Sequence, residues 1–461
     1  DGSAATWNPA GLIYNEGVSL TANYTALRVD LGLDHTPVSP NASTLNASND
    51  ANLSNLSSAT FLAPLTLREH EFFMSAFYHR LQDVYAQGQF LTDDVNLPTQ
   101  LGTPFSTDYA MSGNFAVVGA GFGTVVYQNW TIGGTLGLIT GDGIETHNMA
   151  LDSTRYSEAN PLADATDYVL WEDRSDLNYS GITVTFGAMY KAERWTAGLV
   201  VTPGYTITEN LDYFGTRTTI TDGVPKPLLG IVPGPDGTNR EISVPYSVGL
   251  GGSYQATEKL LVAGDYQYRA FKERGEIAFE DDPVVPDSPL DVMPTSFYNL
   301  HQVRLGAEYM AETDWGLIPL RLGVRNDPLL IGDQDGVLVT YDQRAGNSTR
   351  PGGLLTPRDD YFLSVSRPGG SGDQINPLTF TVGSGIHWSQ IHLDFALEYL
   401  GYEYTESGTI MMVRRCDDCD PNDPRFFIDE WGGRFTSEFG RYTRTYEDSR
   451  LRFSLNFTGY F

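Results

Sequence analysis

The end of the chain constrains its fold more than any other stretch. Residues 450–461 read R-L-R-F-S-L-N-F-T-G-Y-F, in which apolar and polar side chains alternate. Successive side chains of a β-strand point to opposite faces, so this strand has one apolar and one polar face. Alternation that ends on an aromatic residue, here Phe461, is typical of the closing strand of a membrane-spanning β-barrel.

Composition agrees with a large barrel. The chain has 461 residues, with 48 Gly, 26 Tyr, 23 Phe and 7 Trp, which suits strands, tight turns and aromatic girdles. Mean hydropathy is −0.26, and the longest nearly apolar run, residues 115–126, is too short for a spanning helix. A barrel wall alternates lipid-facing and lumen-facing residues, so its hydropathy averages to neutral.

Charge and motifs exclude several classes of function. The net charge of −29 argues against nucleic acid as a partner, because phosphate binding needs Lys/Arg patches. The acidic exterior fits a cell surface rich in divalent cations, or it serves solubility alone. The sequence has no G-x-S-x-G elbow and no H-E-x-x-H motif, so we expect no enzyme and no cofactor.

Strand patterns along the chain predict an all-β fold of about fourteen antiparallel strands. Turns of a few residues alternate with long loops, which is the arrangement of an outer-membrane barrel with both termini in the periplasm. Residues 34–66 are predicted to form a long loop, and residues 81–84 a tight turn. The predicted strands are 17–33, 67–80, 85–92, 107–127, 130–144, 177–190, 195–211, 242–255, 260–279, 297–310, 317–329, 376–388, 391–404 and a closing strand after residue 445.

The same alternation assigns faces to the late strands. An arginine at mid-bilayer costs about 2–4 kcal/mol, so the charged positions select the register that turns them inward. We therefore expect a lumen lined by both signs of charge, which either forms ion-pair networks or lines an open polar channel. The lumen charges are Arg304, Glu308, Arg321, Arg325, Asp394 and Glu398.

A short motif near the beginning carries a family resemblance. Residues 6–12 read T-W-N-P-A-G-L, and Asn8, Pro9 and Ala10 resemble the N-P-A motif of the FadL family of outer-membrane transporters for long-chain fatty acids and hydrocarbons. Residues 318–330, I-P-L-R-L-G-V-R-N-D-P-L-L, are similar to a late strand and loop of that family. The resemblance implies a short N-terminal hatch, residues 1–16, that plugs a barrel formed by residues 17–461. Only seven residues precede Asn8, fewer than in the family.

The resemblance also implies a route for the ligand. A hydrophobic ligand would land in a groove among extracellular loops, enter the barrel, and leave through a gap in the wall made by a kink in the third strand. Gly88 is the candidate for that kink. The alternative is that it is an ordinary glycine within a strand. Candidate groove residues, which could instead pack under their own loops, are Val169, Leu170, Trp171, Leu228, Leu229, Ile231 and Val232.

The two cysteines lie close together near the end of the chain. Cys416 and Cys419 are spaced for a local disulfide in an oxidising compartment. Asp418, Asp420 and Asn422 match the first ligand spacings of a calcium loop, so the acidic surface loops are a weaker calcium candidate. Position six of that loop is Asp423 rather than Gly, so the segment is not an EF-hand.

These features predict a passive transporter of hydrophobic small molecules in the outer membrane of a Gram-negative bacterium. The expected partners are outer-membrane lipids, a ligand such as a fatty acid, and the barrel-assembly machinery, for which Phe461 would be part of the signal. One alternative is a FadL-related scaffold barrel that holds a protein partner in a secretion or surface complex. A second alternative is a general porin.

Overall fold

The computed structural model describes most of the chain, and all structural statements below concern this part of it. The described residues are 4–15, 17–37, 45–68, 70–92, 105–152, 168–221, 224–227, 238–271, 276–279, 292–294, 298–329, 337–339, 360–362, 365–367, 374–415, 426–428 and 434–461. Within them, no helix is long and apolar enough to span a bilayer.

The chain forms a closed antiparallel barrel of fourteen strands, β1 to β14, as the sequence predicts. Four of the strands, β7 to β10, consist of two segments each. In chain order the strands are Ser19–Pro37, Leu45–Leu67, His70–Thr92, Phe105–Tyr127, Trp130–Asp152, Tyr168–Lys191, Trp195–Thr202 with Tyr205–Thr221, Thr238–Val244 with Ser247–Gln255, Leu260–Arg269 with Glu276–Phe279, Val292–Pro294 with Leu300–Thr313, Gly316–Asn326, Leu378–His387, Ile391–Arg415 and Arg434–Tyr460.

Shorter elements lie inside the barrel and on its long connections. A helix, α1 (Ala4–Trp7), and a 3-10 helix (Pro9–Tyr14) precede β1. Val224–Pro227 pairs with β7, Asp360–Phe362 with β13, and Phe426–Ile428 with β14. Val337–Val339 and Val365–Arg367 pair with each other.

Pairing of the first and last strands closes the barrel. β1 and β14 run antiparallel in register from Ser19–Tyr460 to Pro37–Tyr442. The Phe461 N–H donates to the Val18 carbonyl at 2.9 Å, and the hydroxyls of Thr21 and Thr458 lie 3.2 Å apart. Along this pairing, neither β1 nor β14 has a sheet edge with unpaired backbone groups.

The exposed side chains confirm the predicted alternation. On β14 the outward side chains are Leu451, Phe453, Leu455 and Phe457, while Thr458 is 1% exposed. The exposed large residues of β10, β11 and β13 follow the same rule: Val303, Leu305, Tyr309, Leu320, Leu322, Ile391, Leu393, Phe395, Leu397 and Tyr399. At the end of the barrel with the short turns, exposed aromatic residues form a belt: Tyr127, Trp130, Trp195, Trp315 and Trp388.

The structure corrects the prediction for residues 34–92. The predicted loop contains β2, and the predicted turn at residues 81–84 lies within β3, so two predicted strands are one. Bulges hid this arrangement. The register between β1 and β2 shifts at Asn23–Tyr24, and that between β3 and β4 shifts between Arg80 and Gln82. Because a one-residue bulge exchanges the two faces, the alternation breaks in mid-strand.

The two faces of β12 give a matched test of this barrel. Val382 is outward and 50% exposed, whereas the neighbouring Thr381 lies directly across from the lumen residue Glu398. Val382→Arg should lower the free energy of unfolding in lipid vesicles by about 2–4 kcal/mol, since it places a charge at mid-bilayer. Thr381→Arg should cost much less, because its charge faces the polar lumen instead of lipid. Equal losses in urea unfolding would contradict the face assignment.

Candidate functional site

The hatch folds because Asn8 caps its 3-10 helix. The Asn8 Oδ1 accepts a hydrogen bond from the Ala10 N–H at 3.1 Å. Pro9 occupies the first helical position, where its missing N–H costs nothing and its fixed φ favours the helix. The Asn8 N–H donates to the Ala4 carbonyl at 3.0 Å and so joins the two short helices. The N-P-A motif therefore sets the shape of the plug.

The same asparagine attaches the hatch to the barrel wall. Its Nδ2 donates to the Leu199 carbonyl of β7 at 3.3 Å and lies 3.5 Å from the Ala188 carbonyl of β6. Both carbonyls belong to adjacent strands of the ladder. Because the other amide atom caps the helix, one side chain orders both the plug and its seat.

Glycines in the wall make room for this attachment. A Cβ at Gly133 of β5 would lie 2.3 Å from the Pro9 carbonyl carbon, and one at Gly187 of β6 would lie 2.0 Å from the Asn8 Oδ1. Both distances are far below a van der Waals contact, so any larger residue would displace the hatch. Ala10 and Leu12 of the hatch are fully buried in this seat.

One side of the lumen is apolar. Side chains from β2 to β7 converge with two hatch residues on a single buried cluster, which we call the apolar lumen face. Its buried members are Ala5, Leu12, Leu62, Phe73, Phe77, Val117, Ile139, Leu177, Tyr179 and Ile207, and the partly buried side chains packed against it include Phe115, Tyr205, Ile242 and Val244. Burying an aliphatic or aromatic side chain of this size contributes about 1.5–3 kcal/mol.

The opposite side of the lumen is charged, and it holds the six residues named from the sequence. The Arg304 Nη1 lies 2.8 Å from the Asp265 Oδ1, and Arg321 lies 2.6 Å from both Glu308 and Asp394. We call this set of side chains on β9 to β14 the charged lumen face. Cross-strand pairs between hydrogen-bonded charges keep the register of these strands.

The network continues across the next strands. Arg325 contacts both Asp327 and Glu398 at 2.9 Å, and Arg452 of β14 lies 3.5 Å from Glu398. The His387 Nε2 lies 2.8 Å from Asp394. Each of the six predicted charges thus has an oppositely charged neighbour, which is the ion-pair geometry expected of a wall-stabilising lining.

The hatch spans the two faces of the lumen. Its apolar residues pack on the apolar lumen face, while Trp7 points the other way, with 59% of its side chain exposed. The Arg304 guanidinium carbon lies 4.9 Å from the centroid of the Trp7 ring, within cation–π distance. The plug is therefore held from both sides.

The barrel ladder is interrupted between β2 and β3. Their pairing runs from Leu67–His70 to Ser58–His79, and beyond it, among the described residues, β2 pairs with β1 alone and β3 with β4 alone. Gly88 lies on the part of β3 that is not paired with β2, and on its other side it pairs regularly with Tyr109 of β4. The irregularity in the pairing of β3 with β4 is the bulge at Leu81. The role predicted for Gly88 stays a prediction.

Several predicted site residues are only partly placed. Val169, Leu170 and Trp171, assigned to a loop from the sequence, lie in the backbone of β6 between β5 and β7. Phe461 is 81% exposed at the end of β14. The remaining groove, disulfide and calcium candidates lie outside the described residues: Leu228, Leu229, Ile231, Val232, Cys416, Asp418, Cys419, Asp420 and Asn422.

Sequence reasoning missed the apolar lumen face. The signal for it is present in β3, where residues 72–78 read F-F-M-S-A-F-Y and carry apolar side chains on both faces. A wall strand beside a water-filled lumen would alternate instead. Apolar residues on both faces of β3 therefore indicate that the lumen beside it is filled with side chains or lined by apolar ones.

These features define a class: an antiparallel fourteen-stranded barrel of the membrane-spanning type, with an N-terminal plug and a lumen divided into an apolar and a charged side. No family model and no curated protein matches the chain.

Solved structures identify the particular fold, which is that of FadL-type channels. A Pseudomonas aeruginosa FadL homologue is 15% identical, with a TM-score of 0.53 over 100% of this chain and 94% of that one. The Pseudomonas putida toluene transporter TodX is 14% identical, with a TM-score of 0.52 and 100% and 93% coverage. The Ralstonia pickettii toluene transporter TbuX is 13% identical, with a TM-score of 0.51 and 100% and 94% coverage.

The close contact of the hatch with Gly133 and Gly187 can be tested by substitution. Gly133→Ala should displace the plug, lower the free energy of unfolding by about 1–3 kcal/mol through overpacking, and raise ion conductance in planar bilayers. Gly306→Ala is the matched control, because a Cβ there meets nothing nearer than the Leu322 carbonyl oxygen at 3.5 Å. If the two variants behave alike, the hatch does not depend on this seat.

Proposed function

We propose that the protein is a passive transporter of hydrophobic small molecules across the bacterial outer membrane. The apolar lumen face carries this proposal. A channel for polar solutes has no use for Phe77, Leu177 and Ile207 turned toward its interior, each 7% exposed or less. For a hydrocarbon chain or ring, the same side chains offer a surface that replaces contact with water.

Two observations support the class of substrate: the solved structures of the same fold and the N-P-A motif. The toluene transporters of the same fold support a small hydrocarbon. The N-P-A motif resembles a family that also carries long-chain fatty acids, so an acyl chain is the second candidate. Both ligands are apolar over most of their surface, and both would contact the apolar lumen face rather than the ion-paired side.

We further propose that the ligand leaves sideways into the outer leaflet. The parting of β2 and β3 supports this step, because unpaired strands need no ladder hydrogen bonds broken to move apart. The buried side chains of Leu62 and Phe77 lie on the paired part of these two strands, within four residues of the point where the pairing ends. A ligand on the apolar lumen face could thus reach lipid without crossing the charged side or displacing the hatch.

Uptake measurements test the proposal. Vesicles or cells that contain the protein should take up labelled oleate or toluene faster than those without it. Phe77→Gln and Ile207→Gln should each lower uptake roughly tenfold, because an unpaired buried amide costs on the order of 1–3 kcal/mol in an apolar site. Thr381→Ala, on the opposite side of the lumen, should leave uptake unchanged. Barrel folding is checked by heat-modifiable mobility on gels.

The alternatives predict other outcomes of the same experiments. If the protein is a porin, the unmutated protein would conduct ions and would not favour hydrophobic solutes over polar ones. A scaffold barrel would co-purify with a protein partner and would leave hydrophobic uptake intact when deleted. Either result, together with no binding of oleate or toluene to the purified protein, would contradict the transporter.

A further inference from the structure

Two neighbouring strands of the barrel are interrupted at the same level. Pairing between β7 and β8 runs from Trp195–Tyr254 to Thr202–Ser247, stops, and resumes at Tyr205–Val244. The residues between are Pro203 and Gly204 on β7 and Pro245 and Tyr246 on β8. We call these four residues the proline seam.

The chemistry of proline explains the interruption. Proline has no backbone N–H, so Pro203 and Pro245 each remove a donor from the ladder, and proline is otherwise confined to strand edges. The neighbouring pair is disturbed as well. Pairing of β6 with β7 passes from Phe186–Val201 to Gly181–Ile207, which leaves one residue more on β7 than on β6.

The extra residue exchanges the faces of β7 at the seam. Below it, toward the short turns, Leu199 is the outward residue, while above it Thr206 and Asn210 are exposed. β8 changes in the same way: Leu250 is 55% exposed below the seam, and Glu241 is exposed above it. Over the first residues above the seam the outer surface thus changes from apolar to polar, and the next exposed apolar residue of β7 is Phe214, 56% exposed and farther up the strand. This change places the seam at the boundary of the outer leaflet.

Aromatic side chains at the proline seam also place it at the boundary of the outer leaflet. The Tyr246 side chain, within the seam, is 37% exposed, and its ring lies 6.2 Å from that of Tyr268 on β9. On the same strand, the Tyr266 hydroxyl lies 2.8 Å from the His301 Nδ1. Tyrosines with one apolar and one polar end are typical of the lipid headgroup region.

Apolar side chains lie immediately inside the seam. Tyr205 and Val244, the first pair above the seam, pack against the apolar lumen face, as does Ile242. Ile207 is 2% exposed and belongs to the buried cluster itself. On the inner side of the seam, the Thr185 and Thr202 hydroxyls lie 3.0 Å apart and bridge β6 to β7 in place of a ladder bond. Between lumen and lipid, the seam therefore has few backbone hydrogen bonds and an apolar interior surface.

We propose that the proline seam is a lateral port, through which a hydrophobic ligand passes between the apolar lumen face and the outer leaflet. The proposal rests on the transport function proposed above and adds a passage separate from the parting of β2 and β3. To open, β7 and β8 separate at the seam, where each proline leaves the ladder one donor short.

A reversible cross-link tests the port. Directly paired residues of antiparallel strands have Cα atoms about 4.5–5.5 Å apart, within the range of a disulfide. In a background with Cys416→Ser and Cys419→Ser, the variant Thr202→Cys/Ser247→Cys forms a disulfide between β7 and β8. This pair lies directly below the seam, on the side of the short turns. The control, Thr196→Cys/Ser253→Cys, joins the same two strands near the short turns, where the native hydroxyls lie 2.7 Å apart.

The oxidised seam variant should take up oleate or toluene about twofold more slowly than its own reduced form, since a disulfide holds its two strands together and leaves the parting of β2 and β3 as the other route. The oxidised control should equal its reduced form. Pro203→Val with Pro245→Val, which restores two donors, should slow uptake without a cross-link.

Two failures are distinguishable. If the wild type neither binds nor takes up either probe, the transport function itself is wrong. If the wild type takes up the probe and the oxidised and reduced seam variants transport it equally, the port is wrong, and the seam is only the place where the ladder leaves the membrane.

Discussion

A membrane interior offers no water to a backbone amide, so every N–H and C=O of a spanning wall needs a partner within the protein. The register between β1 and β14 meets this requirement by closing the ladder from Ser19–Tyr460 to Pro37–Tyr442. Closure then forces the side chains to divide between lipid and lumen. The apolar outward faces and the paired charges inside both follow from it, and so does the significance of any place where the ladder is incomplete.

The lumen is built as two different surfaces, and the hatch stands between them. Asn8 fixes the plug to carbonyls of β6 and β7, and Trp7 contacts Arg304 on the opposite wall. The ion pairs of Arg321 and Arg325 stabilise the wall, and their charges are already satisfied by protein carboxylates. An apolar ligand would therefore find matching side chains on the apolar lumen face rather than among these ion pairs.

Much of this fold could be predicted from the sequence, because a charge in lipid is costly and fixes the register. The faces of β10, β11, β13 and β14 followed from that rule. β2 did not, since its bulge beside Tyr24 exchanges the faces in mid-strand and its outward residues include Asn52 and Ser54. The seat of the hatch was also hidden: nothing in the sequence separates Gly133 and Gly187 from the other glycines, because their role depends on what lies across the lumen.

We propose that a hydrophobic ligand occupies the apolar lumen face. The most direct measurement is a crystal structure with a brominated fatty acid or bromobenzene, in which anomalous scattering locates the bromine. We expect a bromine inside the barrel, within contact distance of Phe77, Leu177 or Ile207. Bromine found solely on the lipid-facing surface, or among the ion pairs of the charged lumen face, would contradict it.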